Sequence, residues 1–483
     1  MTKNIETVIM CVLVLLVIGL ALVPLNYVDL LSQYTQSATA VEVSNCTVID
    51  RPGVYVLTHD LSVAPGEYWC ILINASNVVL DGRGHSIVGL GLEKQSMFGV
   101  FITAADNISI NNLRITGFWS AIYLSRAFNS RIENNVMYNN VFGVVLATSS
   151  DNVLAINTIV NQGSAGIFLV SAYNNTIVGN TISDNLYGIV FFANVTGNTV
   201  AGNKFVNNGL LVGLQSYNNT VFNNTVNGKP LVYLENVRGV TIDYPVGQVI
   251  AIRSRGIVVR GVLIDNATVG IELYETNNSR IEGCTVRGNR VAGIMMVLST
   301  ENMIVNNLIE NNGYGVGQVA GIVLVNSSNN IIYNNIFNNI QNVAVSNGVN
   351  YWNTSLSLDE NVAGGNWIGG NYWASPDGSG YSQTCRDVEE PIGICDEPYA
   401  IDKNNVDYLP LTGPVQTIVL TPASTGPVTH TSTKTVTEGA TQSMASATGI
   451  SPDLETVLYT VVAAVTMVLM MMVVVARRHK EKE

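Results

Sequence analysis

The middle of the chain alternates short apolar runs with polar corners, and it does so at a fixed interval. Asn135, Asn157, Asn180, Asn203 and Asn224 follow one another at 22, 23, 23 and 21 residues. Two places after each stands an apolar residue: Met137, Ile159, Ile182, Phe205 and Val226. Glycine recurs at Gly143, Gly166 and Gly188. A period in the low twenties marks a solenoid. Runs of three to five β-branched residues between turn formers read as short strands, and no helical period is present. The leucine-rich repeat has a similar length, but its Leu-x-x-Leu-x-Leu signature is missing. The pattern predicts an all-β, right-handed parallel β-helix of the pectin-lyase-like kind. Residues 50–350 hold ~13 coils, a rod on the order of 60 Å long at ~4.8 Å per coil.

One coil per repeat gives the asparagines a role. A corner Asn tolerates the left-handed conformation and can bond the amides of the coils above and below. Such a ladder pairs polar groups that would otherwise be buried alone. The array is interrupted near Asn227-Gly228-Lys229-Pro230 and resumes through Gly270 and Gly293. The stretch 311–321 is too long for a corner and predicts a protruding loop.

Ends of a solenoid need caps, since open ends expose core and strand edges. Residues 41–100 read as an N-terminal cap with the first coils, 101–350 as the repeats, and 351–411 as a C-terminal cap. In 412–455 Ser and Thr dominate (sixteen of the forty residues 412–451), which reads as an extended stalk. The apolar run 457–476 carries no charge and is long enough to span a membrane, giving a transmembrane helix at 456–476. Arg477, Arg478, Lys480 and Lys482 follow, so 477–483 reads as a cytoplasmic tail. The other apolar run, 8–23, makes residues 1–40 either a signal peptide or an N-terminal membrane segment. Both ends therefore predict terminal hydrophobic helices, a single C-terminal pass through the cell membrane, and an extracellular bulk.

Composition agrees with that placement. Charged residues are 12% against 47% hydrophobic, and the net charge is -12. That excess of acid argues against nucleic acid as a partner. Eleven Asn-x-Ser/Thr sequons mark possible glycosylation: Asn45, Asn74, Asn107, Asn174, Asn194, Asn218, Asn223, Asn266, Asn277, Asn326 and Asn353. In an oxidising compartment Cys46 pairs with Cys70 and Cys385 with Cys395, leaving Cys284 as a small apolar core residue.

The cap strings have a familiar form. Pro52-Gly53-Val-Tyr55, Asn77-Val-Val-Leu80-Asp81-Gly82 and Gly84-His85-Ser-Ile87 open the array. Asn227-Gly228-Lys-Pro230-Leu-Val-Tyr233 lies in its middle. Gly369-Gly370-Asn371-Tyr372-Trp373, Asp396-Glu-Pro398-Tyr399 and Asn405-Val-Asp407-Tyr408 close it. Over about residues 46–411 the chain resembles archaeal surface proteins of the NosD type, a family named for a periplasmic copper-binding protein. The resemblance implies the β-helix and its caps. It does not imply one activity, because the wider group includes carbohydrate-binding and sugar-cleaving members. Many relatives carry an Asp-Gly run suited to Ca²⁺ after the Asn-Tyr-Trp motif. Here Asp377, Asp387, Glu389 and Asp396 are the residues that could bind Ca²⁺ through oxygen, and a solvated acidic loop is the alternative. No cofactor is required by the sequence.

Chemistry is sparse. Sugar-cleaving β-helices usually use paired carboxylates on one face. Asp184 sits where neighbouring coils place Asn139 and Asn161, so it reads as a ladder substitution. Arg260 precedes Glu282 by 22 residues and Arg287 precedes Glu310 by 23, offsets that predict stacked ion pairs. Asp265, Glu272 and Glu275, near Arg253, Arg255 and Arg260, are the acids left unexplained and hence the catalytic candidates. Trp119, Tyr123, Tyr138 and Tyr187 are the candidate sugar-stacking aromatics. Met295, Met296 and Met303 are the soft side chains a copper site would use, with core filling as their other reading. The expected function is a non-enzymatic surface protein that binds glycans or an envelope glycoprotein, or serves a structural role. A tethered polysaccharide lyase or hydrolase is the alternative, and metal delivery or scaffolding a further one.

Overall fold

One coil consists of Arg131–Glu133, Val136–Tyr138 and Phe142–Ala147, with a corner after each strand. The next coil pairs with it in parallel: Ile132 meets Leu154, Met137 meets Ile159, and Val144 meets Ile167. Those six side chains are buried, because alternate residues of a strand face one side and the inward set is apolar. The computed structural model describes residues 40–91, 96–314 and 319–413. The expected terminal helices, the stalk and the basic tail lie outside the described residues. Among the described residues no helix is long and apolar enough to cross a membrane, and the one helix is the single turn Tyr381–Thr384.

The repetition of this coil makes a right-handed parallel β-helix of about thirteen turns. It is built as two stacks rather than one. The first stack runs from Val41–Val43 to Thr220–Phe222 along a nine-stranded sheet, with an eight-stranded sheet of longer strands from Thr47–Ile49 to Leu210–Leu214. The second stack has two five-stranded sheets, from Thr241–Ile242 to Ile331–Tyr333 and from Leu263–Asp265 to Tyr372–Ala374. A fourteen-stranded sheet is common to both.

The asparagine ladder is present, with one correction to the expected geometry. Asn135, Asn157, Asn180 and Asn203 are buried, and each carboxamide oxygen after the first accepts from the backbone amide and side chain of the preceding rung at 2.9–3.1 Å. The left-handed residue is the one before each rung: Asn134, Ile156, Gly179, Gly202 and Asn223. The turn is thus made by one residue and the ladder by the next, since the buried rung must point inward while the left-handed residue stays outside. Cys284 occupies a rung position in the second stack. Its amide donates to Asn307 Oδ1 at 2.9 Å, its thiol lies against the Val259 and Glu282 carbonyls, and burial pushes the thiol up to about 11. The predicted disulfides Cys46–Cys70 and Cys385–Cys395 are formed.

The second stack ends on a polar stopper. At the C-terminal cap, Asn335 Nδ2 donates to Asn371 Oδ1, and the Asn371 amide donates to Asp407 Oδ2 at 2.7 Å. Trp373 Nε1 donates to the same oxygen at 2.9 Å, and the Leu409 amide to the other at 3.1 Å. Asp407 is fully buried, and desolvation raises it to about 7 against those bonds. A side chain at Gly370 would overlap the Asp407 carboxylate, which explains the paired glycines of the closing motif.

Candidate functional site

The two stacks meet at a hairpin. Asn227 and Gly228 both have positive φ, 51° and 78°, as a two-residue type I′ turn requires. The turn reverses the chain, so Thr225–Val226 pairs antiparallel with Lys229–Glu235 (Thr225 opposite Pro230, Val226 opposite Lys229). From there the winding resumes with Lys229–Glu235 parallel to Gln248–Ile252. This one strand serves two cores by simple alternation. Leu231 and Tyr233 pack into the first, and Val232 and Leu234 into the second. Ile250, Ile252, Ala267 and Tyr274 also point into the first core and close its open end.

An end closed in this way leaves unpaired backbone amides on the last coil of the first stack. Side chains of the second stack take them up. Gly209 donates to Thr268 Oγ1 at 2.9 Å, and Leu210 to Gln248 Oε1 at 3.0 Å, while Gln248 Nε2 returns a bond to the Leu210 carbonyl at 2.7 Å. Val212 donates to both oxygens of Glu272 at 3.3 Å. Asn218 and Asn219 donate to Glu235 at 2.5 and 3.4 Å.

The three acids left unexplained by register all stand at this junction. Glu272 is fully buried, and desolvation raises it to about 8 against the single amide bond that favours its charge. Glu275 accepts from the Tyr217 hydroxyl at 2.5 Å and from Arg253 Nε at 3.0 Å. The Arg253 guanidinium lies 3.2 Å above the Tyr217 ring. Asp265 pairs with Lys229 Nζ at 3.3 Å, and its carbonyl accepts from Asn227 of the turn at 2.9 Å. Tyr233 donates to Glu235 at 2.9 Å, and burial first, then Glu235, raises the Tyr233 hydroxyl. Sequence reasoning missed Tyr217, Tyr233 and Glu235 as partners. The available signal was Asn227-Gly228 between apolar runs, a strong hairpin pattern.

The remaining acids behave as their spacing predicts. Arg260 Nε pairs with Glu282 at 2.6 Å and Arg287 Nη1 with Glu310 at 3.9 Å, each one coil away. Asp184 accepts from Asn207 Nδ2 at 2.8 Å as an outer rung.

The candidate aromatics divide between two sheets. Trp119, Tyr123 and Tyr187 lie on the outer face of the eight-stranded sheet, in an apolar stripe with Phe98, Phe101, Phe142, Phe168 and Phe192. Neighbouring ring centroids along it are 4.8–6.2 Å apart. Tyr123 is only 4% exposed, so its ring does not stand free. Tyr138 lies on the fourteen-stranded sheet, with the Arg114 guanidinium 5.9 Å from its ring centre.

The candidate calcium ligands shape loops. Asp377 accepts from the Ser379 hydroxyl at 2.6 Å and amide at 3.0 Å, and these bonds hold it down at about 2. Asp387 accepts from Gly393 at 3.1 Å. Asp396 accepts from Glu389 and Val388 at 3.0 Å, and those bonds lower it. Met295 and Met296 are neighbours on one strand and face opposite sides, while Met303 sits on another sheet against Arg280. Among the described residues no group of three or more His, Cys, Asp or Glu is placed to hold a metal. All eleven sequon asparagines are exposed or half-exposed, whereas the ladder asparagines are buried and none begins a sequon.

Several solved structures are similar to this chain. The Dettilon tailspike protein is 16% identical, with 59% of this chain and 58% of that chain covered and a TM-score of 0.33. An alginate lyase from Paenibacillus sp. is 17% identical over 56% of this chain and 94% of its own, TM-score 0.34. The A-module of a mannuronan C-5 epimerase from Azotobacter vinelandii is 14% identical over 64% and 88%, TM-score 0.36. No curated protein matches the chain. A family model matches twice, at residues 40–239 and 237–378, and the boundary between the two matches falls just after the shared strand Lys229–Glu235. The two matches together cover more than half of the chain, and it belongs to the family described as periplasmic copper-binding protein (NosD).

Proposed function

We propose that this chain is a non-catalytic binding and spacing element of the cell envelope. The two-stack rod is held outside the cell on the 412–455 stalk, with the run 457–476 in the membrane and glycans as ligands. One observation carries the non-catalytic part. Asp265, Glu272 and Glu275 are engaged in fastening the two stacks, so none is left as a free acid or base opposite another. Rows of threonines on the outer faces of the coils support a binding role. Thr176, Thr199 and Thr220 stand in register on one sheet, and Thr158 beside Thr181 on another. Flat rows of hydroxyls of this kind suit hydrogen bonding to polysaccharide.

Copper is implied by the family's description, and the described residues do not fit it. The soft sulfurs are split between faces and sheets. Cys284 is buried as a ladder rung. His85 leans on Asp60 at 3.4 Å and His59 on Thr58 at 3.2 Å, at an exposed edge without a third ligand. No step of the proposed function runs through a metal.

The test is a panel of neutral and acidic polysaccharides, assayed together for binding and for new reducing ends or unsaturated products, with and without Ca²⁺. Binding without products supports the proposal. Products that vanish in Glu275→Gln would make the junction an active site. Carbonate extraction of membranes from cells expressing the chain, with and without residues 457–483, tests the anchor.

A further inference from the structure

At the far end of the second stack a pocket of about 340 Å³ opens in the seam between the last coil and the closing cap. Its wall ends an aromatic column. Phe337 stacks on Trp373 with ring centres 4.8 Å apart and planes within 10°. Trp373 lies 4.7 Å from Tyr399, and Tyr399 lies 5.0 Å from Tyr381. The first two rings are buried in the core, and the last two are half-exposed at the pocket. The Tyr381 hydroxyl donates to the Glu397 carbonyl at 2.6 Å, which fixes the outermost ring. The opposite rim is the turn after Asn339. There Ile340 is 85% exposed, and the exposed Gln341 uses its amide nitrogen on the Val343 carbonyl at 3.2 Å.

The lining contains no charged residue. Its polar groups are amides and hydroxyls, and its apolar ones include Tyr381, Tyr399, Val343, Ile401 and the solvent-exposed Ile340.

We propose that this pocket is a binding subsite for an uncharged pyranose of a neutral glycan. The Tyr381 ring, the last of the column, matches the apolar C–H face of a sugar ring. The Asn339 and Asn342 amides are bonded to each other and to backbone, so the Gln341 amide and the serine hydroxyls are the groups that match its hydroxyls, and Ile340 loses water when a sugar covers it. A uronate carboxylate here would give up solvent without a cation to receive it. The volume is at the small end of the range for ligand sites, which fits one or two rings. The inference rests on the glycan-binding reading above and adds where the sugar sits and which class it belongs to.

The experiment uses the full chain in detergent micelles. It titrates neutral oligosaccharides (glucan-, mannan- and galactan-derived) and uronate oligosaccharides in parallel, read by saturation-transfer NMR and calorimetry. Ile340→Asp and Gln341→Ala change rim positions that are exposed, and unchanged Tm values verify their folding. The expected result is binding of at least one neutral series and tenfold or greater weakening in Ile340→Asp, with a smaller loss in Gln341→Ala. Neutral binding that both variants leave intact would overturn the site while sparing the glycan-binding reading. Binding of uronates alone would overturn the ligand class and spare that reading too. No binding by either series would overturn both.

Discussion

The two stacks have the same three-stranded coil and a similar buried amide ladder, yet they are held differently at their corners. In the first stack the outer rungs are amides and one acid: Asn134 on Asn112 at 2.6 Å, Asn161 on Asn139 at 2.7 Å, Asn207 on Asp184 at 2.8 Å. The second keeps such rungs, Asn334 on Asn306 and Asn278 on Glu301 at 2.7 Å, and adds ion pairs between neighbouring coils: Arg253 with Glu275, Arg260 with Glu282 and Arg287 with Glu310. The difference teaches which part of a β-helix is obligatory. Inner rungs satisfy backbone amides that water cannot reach, so both stacks must have them. Outer rungs are solvated, and charge or amide serves about equally there.

The largest expected effect breaks an inner rung. Asn180→Leu leaves the Asn157 amide and the Leu154 carbonyl without partners, because Asn180 accepts from the first at 2.9 Å and donates to the second at 2.9 Å. Each buried orphan costs about 1–3 kcal/mol, and chemical denaturation should show the first stack losing its transition before the second. Asn208 gives the control. It is buried at the end of its row with neither side-chain polar atom paired, so Asn208→Leu should leave the midpoint nearly unchanged or raise it.

Next comes the junction. Unfolded Glu titrates near 4.5 and Glu272 in the fold at about 8, with Asp407 moving from 3.8 to about 7. Between those values the folded state binds the extra protons. The stability these two groups contribute is therefore full below about pH 4 and falls as pH rises toward 8. Tm measured from pH 4 to 8.5 should decline, and Glu272→Gln should flatten the upper part of that decline while keeping an acceptor for Val212. An unchanged slope would mean that the carboxylate is not confined as the geometry indicates.

A smaller effect should come from Ile156. It is a β-branched residue at φ 55°, 65% exposed, where other coils place Asn or Gly. Ile156→Asn removes a left-handed strain of about 1–2 kcal/mol and should raise the denaturation midpoint of the first stack alone. The smallest is Arg287→Ala, with an exposed pair at 3.9 Å, expected to shift stability by under about 1 kcal/mol.

Much of this was legible in the residues. The period, the two disulfides and the one-coil ion pairs follow from local spacing, because a solenoid turns sequence offset into contact. The junction was not legible for the same reason. Val212 and Glu272 are 60 residues apart and Tyr217 and Glu275 are 58 apart, across a chain reversal, so coil register could not pair them. Acids that register failed to explain were acids whose partners belonged to the other stack. The left-handed corners were misassigned by one residue, since sequence alone does not say whether the Asn that turns the chain is also the Asn that is buried.

The strand Lys229–Glu235 has a consequence for how the molecule comes together. Coils in a solenoid fold by spreading from neighbour to neighbour. A strand with alternate side chains in two cores is a place where two such fronts must arrive in agreement. A one-residue slip there would turn Leu231 and Tyr233 toward the wrong core and Val232 and Leu234 with them. The seven residues act as a checkpoint on registration. An error made in either half is exposed at the point where the other half begins.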